Sequence, residues 1–181
     1  MLVDPIPEIR TAGAKALGSL VAGMTESYFP GLIDELLNTL KSDESSVERS
    51  GAAQGLSEIF AGVPISRFEK VVPQLAWSMD SEDPFEREGT VSLFVYLPPA
   101  LGDAMHPFLP KLLPGILAGL ADDAEPVREV ALRAARMLIA RFAHSSVDLL
   151  LPLLQESLFH INWRIRQSAV QLVGELLYHV A

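Results

Sequence analysis

The sequence predicts an all-α protein built as an α-α superhelix, in which antiparallel helix pairs stack into a solenoid. The first indication is a set of arginines at near-even gaps of 39, 38, 41 and 38 residues. A period of this length is typical of two-helix repeats. The second is the composition, 49% hydrophobic and 20% charged, because stacked helices bury a wide apolar face against each neighbour. The recurring arginines are Arg10, Arg49, Arg87, Arg128 and Arg166.

A helix follows from the residues around each arginine. Four and seven residues later the chain carries apolar residues, such as Ala14 and Leu17 in the first repeat, and these spacings share one helix face. Proline in or just before the first turn and Ser45, Ser46, Asp83 and Asn162 as N-caps fit a helix start there. We name these the B helices. Their predicted ranges are 7–22, 46–61, 84–97, 125–142 and 162–180.

A second helix, the A helix, precedes each of the last four B helices. The predicted ranges are 29–41, 67–79, 107–120 and 146–159. Three of them carry a proline 14 residues before the repeat arginine, at Pro73, Pro114 and Pro152. An interior proline costs a helix about 3 kcal/mol and kinks it, so its recurrence in register predicts a designed bend.

The resulting order is nine helices in about four and a half repeats of the HEAT/armadillo type. We predict one continuous solenoid over 1–181 that begins on half a repeat, which favours a segment of a longer protein. The repeats are assigned to 1–24, 28–62, 64–99, 105–142 and 145–181.

The arginines have a structural interpretation and a functional one. In HEAT repeats generally, an aspartate and an arginine tie consecutive repeats through a ladder of charge-assisted hydrogen bonds. We favour this over a basic stripe that binds a ligand. The predicted ladder consists of Asp4, Arg10, Asp43, Arg49, Arg87, Asp122, Arg128 and Arg166.

Two strings are more specific than a generic repeat, namely SSVERSGAAQGLSE (45–58) and NWRIRQSAVQLVGELL (162–177). With them and the rest of its length, the chain resembles the general control non-derepressible protein 1 family, the giant HEAT-repeat translational activators, near their region related to elongation factor 3. The resemblance implies a cytoplasmic protein that binds translating and stalled ribosomes. It also implies coupling of amino-acid starvation to activation of the kinase of initiation factor 2α. Kinase binding is expected outside this segment.

Net charge restricts the partners. The chain carries −9 overall, so we do not expect direct nucleic-acid contact except through the C-terminal third, where arginines outnumber carboxylates. The non-ladder arginines of that third are the candidates for contact with an acidic partner: Arg133, Arg136, Arg141 and Arg164. The remaining alternative is a HEAT scaffold of another protein-binding protein, of the transport-receptor or phosphatase regulatory-subunit type.

The sequence predicts no enzyme, no cofactor, no metal, no small-molecule substrate and no membrane span. The chain has no cysteine, and its four histidines form neither a His-Glu pair nor an HExxH helix. His144, Ser145 and Asp148 are near one another in sequence, but a helix cap explains them better than a catalytic triad. Trp77 and Trp163 are expected in the core, with Trp163 the better candidate for a contact.

Overall fold

The computed structural model describes residues 2–24 and 26–180, and all the regular structure in these ranges is helical. Two 3₁₀ segments, Glu26–Tyr28 and Gly102–Phe108, occupy connections. The α-helices are α1 (Pro7–Met24), α2 (Leu32–Thr39), α3 (Ser46–Gly62), α4 (Ile65–Ser78), α5 (Pro84–Leu101), α6 (Leu109–Gly119), α7 (Glu125–Phe142), α8 (Val147–Leu158) and α9 (Trp163–Val180). The all-α solenoid prediction is confirmed, with the odd-numbered helices as B and the even-numbered as A.

Side-chain caps place three of the B helices where the sequence predicted. The Ser45 hydroxyl accepts a hydrogen bond from the Val47 N–H at 3.1 Å. The Asp83 and Asn162 side chains accept from the N–H two residues further on, at 2.9 Å in both cases. Each cap satisfies one of the amide groups that a helix start leaves free.

The A helices α2 and α6 begin two or three residues later than predicted and α8 one residue later, whereas α4 begins two residues earlier, at Ile65. Gly31 adopts a φ of 78°, in the left-handed region, so α2 begins at Leu32 rather than at Phe29. The predicted 107–120 helix begins at Leu109, because Gly102–Phe108 winds as 3₁₀. These starts depend on the connection before the helix and not on the apolar period inside it.

Two packed layers form the molecule. Successive B helices stack on one another, and A helices pack along them. The core lies between the layers and runs through the stack. Three phenylalanine rings pack together in it. Phe68 of α4 lies edge-on against both Phe60 of α3 and Phe108, with ring centroids 5.3 and 5.2 Å apart.

The three prolines in register lie on the exposed side of the A helices. α4, α6 and α8 each continue through Pro73, Pro114 or Pro152. All three rings are exposed, so water can bond the carbonyl group that each proline leaves free. The solenoid therefore accommodates them outside its core.

Two glycines let the central B helices approach their neighbours. A Cβ added at Gly89 of α5 would overlap the carbonyl oxygen of Leu40, at the end of α2, and one at Gly51 of α3 would overlap that of Leu2. Both stand two residues after a repeat arginine, so they occupy equivalent positions. A larger residue at either place would push the repeats apart.

Candidate functional site: the B-helix face and its turns

Each repeat arginine first binds the turn of its own repeat. Arg10, Arg87, Arg128 and Arg166 donate from Nη1 to the two carbonyl groups six and five residues earlier, at 2.6–3.1 Å. Arg49 donates to the Ser42 carbonyl, seven residues earlier, at 2.6 Å. The arginine therefore fixes the angle between the A and B helices, since it satisfies carbonyl groups that the turn leaves unpaired.

Two of the arginines also reach the following repeat. Arg49 is 4% exposed, and its Nη2 lies 2.5 Å from a Glu88 carboxylate oxygen. Arg87 makes a bidentate pair with Asp122, at 2.7 and 2.8 Å. Burial alone would raise the pKa of Asp122, but hydrogen bonds from Arg87 and from the Ala124 N–H lower it below its ordinary value. The same pair raises the pKa of Arg87, despite its partial burial.

The predicted aspartates do not all join this ladder. Only Asp122 accepts from the arginine of the preceding repeat. Asp4 accepts instead from the Ile6 N–H at 2.9 Å and caps its own turn. Asp43 is displaced, because the second turn is one residue longer and Ser42 takes the equivalent place, where its hydroxyl accepts from Glu44 N–H. Asp43 itself is exposed on the B-helix face.

Glu88 is the ladder carboxylate that the sequence did not identify. It stands one residue after Arg87, where the other repeats carry Thr11, Ser50, Glu129 and Gln167. The position has no common residue type, so alignment on the arginines gives no signal for it. Within the described part of the chain, Arg10, Arg128 and Arg166 have no carboxylate partner.

A second network closes the junction of the second and third repeats. Glu86 accepts from Lys41 and from the Ser78 and Ser81 hydroxyls, all at 2.7 Å. Burial raises the pKa of Glu86, but these three donors outweigh it and lower the pKa below its ordinary value. Lys41, at the end of the A helix α2, is thereby tied to the turn that follows the next A helix, α4.

A groove of about 620 Å³ runs along the B-helix face from α1 to α7. Its wall contains the Arg49–Glu88 pair and a hydrogen bond of 3.0 Å between Ser50 and Tyr96. The guanidinium of Arg49 also lies over the ring of Phe85, with Cζ 5.0 Å from the centroid. Both positive and negative side chains line the groove, as is common on protein-binding surfaces, whereas a phosphate-binding site would be mainly positive.

The four candidate arginines lie in different places. Arg136 pairs with Glu175 of α9 at 2.7 Å, and Arg141 pairs with Asp103 at 2.9 Å. Arg133 is exposed on the B-helix face and makes no ion pair with any described residue. Arg164 lies over the ring of Trp163, with Cζ 5.3 Å from the centroid. The structure therefore leaves Arg133 and Arg164 unpaired and occupies Arg136 and Arg141.

The two tryptophans are not in the core, so that prediction is wrong. Trp77 is 82% exposed and Trp163 is 58% exposed. Trp77 lies on the outer side of α4, opposite buried Leu75 and Met79, and Trp163 opens the first turn of α9. Tryptophan is highly buried on average, but these two side chains lie on the side of their helices that faces solvent.

No constellation for chemistry forms among residues 2–24 and 26–180. Histidine and carboxylate groups there do not gather three at a time into a possible metal site. His144, Ser145 and Asp148 are not joined by hydrogen bonds; the Ser145 hydroxyl lies 3.5 Å from that of Ser146. In the same ranges no helix is long and apolar enough to cross a membrane.

Paired helices in register, held by one arginine per repeat, define an α-solenoid of the HEAT class, and such solenoids are typically non-catalytic scaffolds. A family model of HEAT-like repeats matches residues 7–59, and that of the EF3 N-terminal HEAT repeat matches residues 49–180. The chain belongs to the EF3 N-terminal HEAT repeat family.

Curated relatives confirm the resemblance to the general control non-derepressible protein 1 family. The chain is 51% identical over its whole length to "eIF-2-alpha kinase activator GCN1" of Dictyostelium discoideum. It is 46% identical over 99% of its length to "Stalled ribosome sensor GCN1" of Homo sapiens, and 39% identical to the kinase activator GCN1 of Saccharomyces cerevisiae. The chain spans 7% of the length of each of these relatives.

Among solved structures, an engineered protein is similar with a TM-score of 0.51 and 17% identity, over 97% of this chain and 77% of that one. At this identity the likeness concerns the fold alone.

Proposed function

We propose that this segment is part of a ribosome-associated translational activator that couples amino-acid starvation to activation of the initiation factor 2α kinase. The observation that carries the proposal is the 39–51% identity, over the whole chain, to proteins named as kinase activators and stalled ribosome sensors. Because the chain spans 7% of those relatives, it supplies a portion of the surface of the complete protein. We place that protein in the cytoplasm, where ribosomes translate.

The segment acts as a non-catalytic scaffold. Its polar groups are used to hold the repeats, as Arg49 and Arg87 do, and the described residues contain no group of three possible metal ligands. A rigid solenoid presents extended faces to protein partners and to the ribosome. No cofactor and no small-molecule substrate enters this role.

Partner contact is proposed for the arginines outside the ladder, Arg133, Arg136, Arg141 and Arg164. Arg133 and Arg164 are the stronger candidates, since their guanidinium groups have no carboxylate partner among the described residues. Arg136 and Arg141 would have to give up their present ion pairs in order to bind a partner. Surface ion pairs contribute only about 0–1 kcal/mol each, so a partner's carboxylate can replace them.

The identity to the GCN1 relatives favours this function over a transport receptor or a phosphatase regulatory subunit. In those alternatives the same B-helix face would bind protein cargo or a catalytic subunit, and ribosomes would not be the partner.

Charge reversal in the full-length protein tests the proposal. Arg133→Glu with Arg164→Glu is expected to weaken co-sedimentation with purified ribosomes and to lower phosphorylation of initiation factor 2α in starved cells. Lys70→Glu with Lys111→Glu is the matched control, because both residues are exposed cations on the A helices α4 and α6. Equal ribosome binding and equal phosphorylation in the two variants would reject the role of these arginines. A wild-type chain that does not associate with ribosomes would reject the function itself.

A further inference from the structure

The turn between α8 and α9 differs in chemistry from the other turns of the solenoid. Residues 159–166 contain two arginines and no carboxylate. The equivalent residues 42–49, 80–87 and 121–128 each contain one arginine, with three, four and three carboxylates respectively. One edge of the stack is therefore acidic in its middle and cationic at this turn.

The same turn carries exposed apolar side chains. Phe159, Ile161 and Trp163 are 88%, 93% and 58% exposed. Five residues before the arginine, where Ile161 stands, the other turns carry Glu44, Glu82 and Asp123.

The exposure of Ile161 and Trp163 follows from their position in the repeat. In the inner repeats, each of which is followed by another, the residues equivalent to Ile161 are all exposed. The residues equivalent to Trp163, which are Ser46, Pro84 and Glu125, are exposed as well. A following repeat does not cover these two positions, so Ile161 and Trp163 face outward within a continuous stack.

Hydrogen bonds hold the turn in one conformation. Arg166 donates to the His160 and Ile161 carbonyl groups at 2.8 Å, and the His160 Nδ1 accepts from the Asn162 N–H at 3.0 Å. Asn162 caps α9 through the Arg164 N–H. Because the turn is ordered before binding, contact with it costs little conformational entropy.

Arg164, the arginine of this turn that lies outside the repeat ladder, is not neutralised by its surroundings. In the described part of the chain it has no carboxylate within ion-pair distance. Glu125 and Glu129 do line the groove of about 450 Å³ between α7 and α9, together with Trp163 and Arg164. The positive charge is therefore confined to the turn itself, and it lies beside apolar side chains.

We propose that residues 159–166 are a docking surface for a protein partner with an apolar pocket rimmed by carboxylates. Tryptophan and arginine are the residues that most often dominate the energy of protein interfaces. A nucleic-acid strand fits less well, since Ile161 cannot stack on a base and the chain carries a net charge of −9. The inference rests on the proposed function, because it places this partner among the proteins of the ribosome.

Site-specific photocrosslinking of the full-length chain on salt-washed ribosomes tests the surface. A benzophenone amino acid replaces Trp163 in one variant and Trp77 in the other, a still more exposed tryptophan on the opposite layer. We expect the probe at 163 to crosslink to a ribosomal protein and the probe at 77 to give no such product. A crosslink from 163 to ribosomal RNA, or only to the chain itself, would overturn the inference while the proposed function stands.

Substitution measures the energy of the same contact. Ile161→Ser with Trp163→Ala is expected to weaken ribosome co-sedimentation about thirty-fold, the cost typical of losing one dominant interface residue. Trp77→Ala should leave it unchanged, and circular dichroism should show equal helicity in all variants. Unchanged binding of the double variant would overturn the inference. If the wild-type chain does not sediment with ribosomes, the proposed function fails, and this inference fails with it.

Discussion

The middle of the solenoid and its C-terminal end use the same repeat in different ways. Between α3, α5 and α7, Arg49 and Arg87 bind their own turns and also a carboxylate of the next repeat. Between α7 and α9, Arg128 binds only its own turn, because His160 stands where Asp122 stands one repeat earlier. Close-packing glycines, Gly51 and Gly89, are present in the middle B helices, where an added Cβ would meet the carbonyl oxygen of a neighbouring segment.

The difference separates two uses of charge. In the middle, arginines and carboxylates neutralise one another across the repeat junctions, so removal of either residue of a pair is costly and neither is available to a binding partner. At the junction of α7 and α9, Arg128 meets no carboxylate of the following repeat, and Arg164 lies beside apolar side chains with no carboxylate partner among the described residues. That combination is typical of interfaces. The same arginine is thus a structural element in one repeat and part of a candidate surface in another.

Removal of an arginine should be far more costly in the middle than at the end. Arg49→Met leaves Glu88 half-buried without a partner, and we expect a loss of about 3–5 kcal/mol in the free energy of unfolding. Arg128→Met, at the junction of α7 and α9, removes two backbone hydrogen bonds and no ion pair, and should cost about 1 kcal/mol. Urea denaturation followed by circular dichroism gives both values. Equal losses would show that the two regions do not differ.

The Arg87–Asp122 pair should make part of the stability depend on pH. Asp122→Asn is expected to cost about 1.5–3 kcal/mol at pH 7, the range for hydrogen bonds to charged groups. The folded state lowers the pKa of Asp122 below its ordinary 3.8, so the contribution is complete above that value and is lost as the pH falls through the folded pKa. Thermal unfolding of the wild type and the variant should therefore differ most at pH 5–7, and the difference should shrink progressively as the pH falls below 3.8 towards the folded pKa. A difference that stays constant down to pH 2.5 would contradict the assignment.

Alanine at two glycines should change stability in opposite directions. Gly89→Ala forces α5 away from the Leu40 carbonyl and should destabilise the protein by about 1–3 kcal/mol. In a chain of residues 1–181, Gly174→Ala meets no atom and should stabilise α9 by about 1 kcal/mol through helix propensity. Thermal unfolding of both variants distinguishes them, and a stabilising Gly89→Ala would exclude close contact at that junction.

The smallest effect should come from extending the ladder. His160→Asp places a carboxylate where Asp122 stands in the previous repeat, and it can still accept from the Asn162 N–H as His160 does. Pairing with Arg128 should stabilise the protein by at most about 1 kcal/mol, as for other partly exposed pairs.

His160→Asn is the matched control for that pair, since it keeps the acceptor without the charge. The gain from His160→Asp should also disappear in an Arg128→Met background, which a double-mutant cycle of urea midpoints measures. A gain of the same size in that background would show that Arg128 is not the partner.

The helices were predictable because their signals are local. α7 has the predicted bounds, and the other B helices begin at the predicted residue or one residue later. A proline, a cap and a 3.6-residue apolar period lie within a few residues of one another, so the sequence contains them all. The starts of α2 and α6 were wrong because the conformation of the connecting segment decides them.

The candidate surface was less predictable, because it depends on side chains from different repeats. Arg133 and Arg164 remain unpaired, whereas Arg136 and Arg141 meet Glu175 and Asp103, which are 39 and 38 residues away. No pattern within one repeat indicates those partners. The contrast in charge between residues 159–166 and the other turns was visible in the sequence, but the exposure of the apolar side chains in this turn was not.

The sequence by itself determined the repeat, its register and the presence of an arginine at every turn, because these follow from short-range periodicity and composition. The tertiary structure decided which arginines find a carboxylate. It gave Ser42 the place predicted for Asp43, supplied Glu88 as a partner, and left Trp77 and Trp163 exposed. The physical reason is that a charge or an aromatic ring is assigned its role by neighbours about one repeat away, and the distance to those neighbours is set only when the repeats stack.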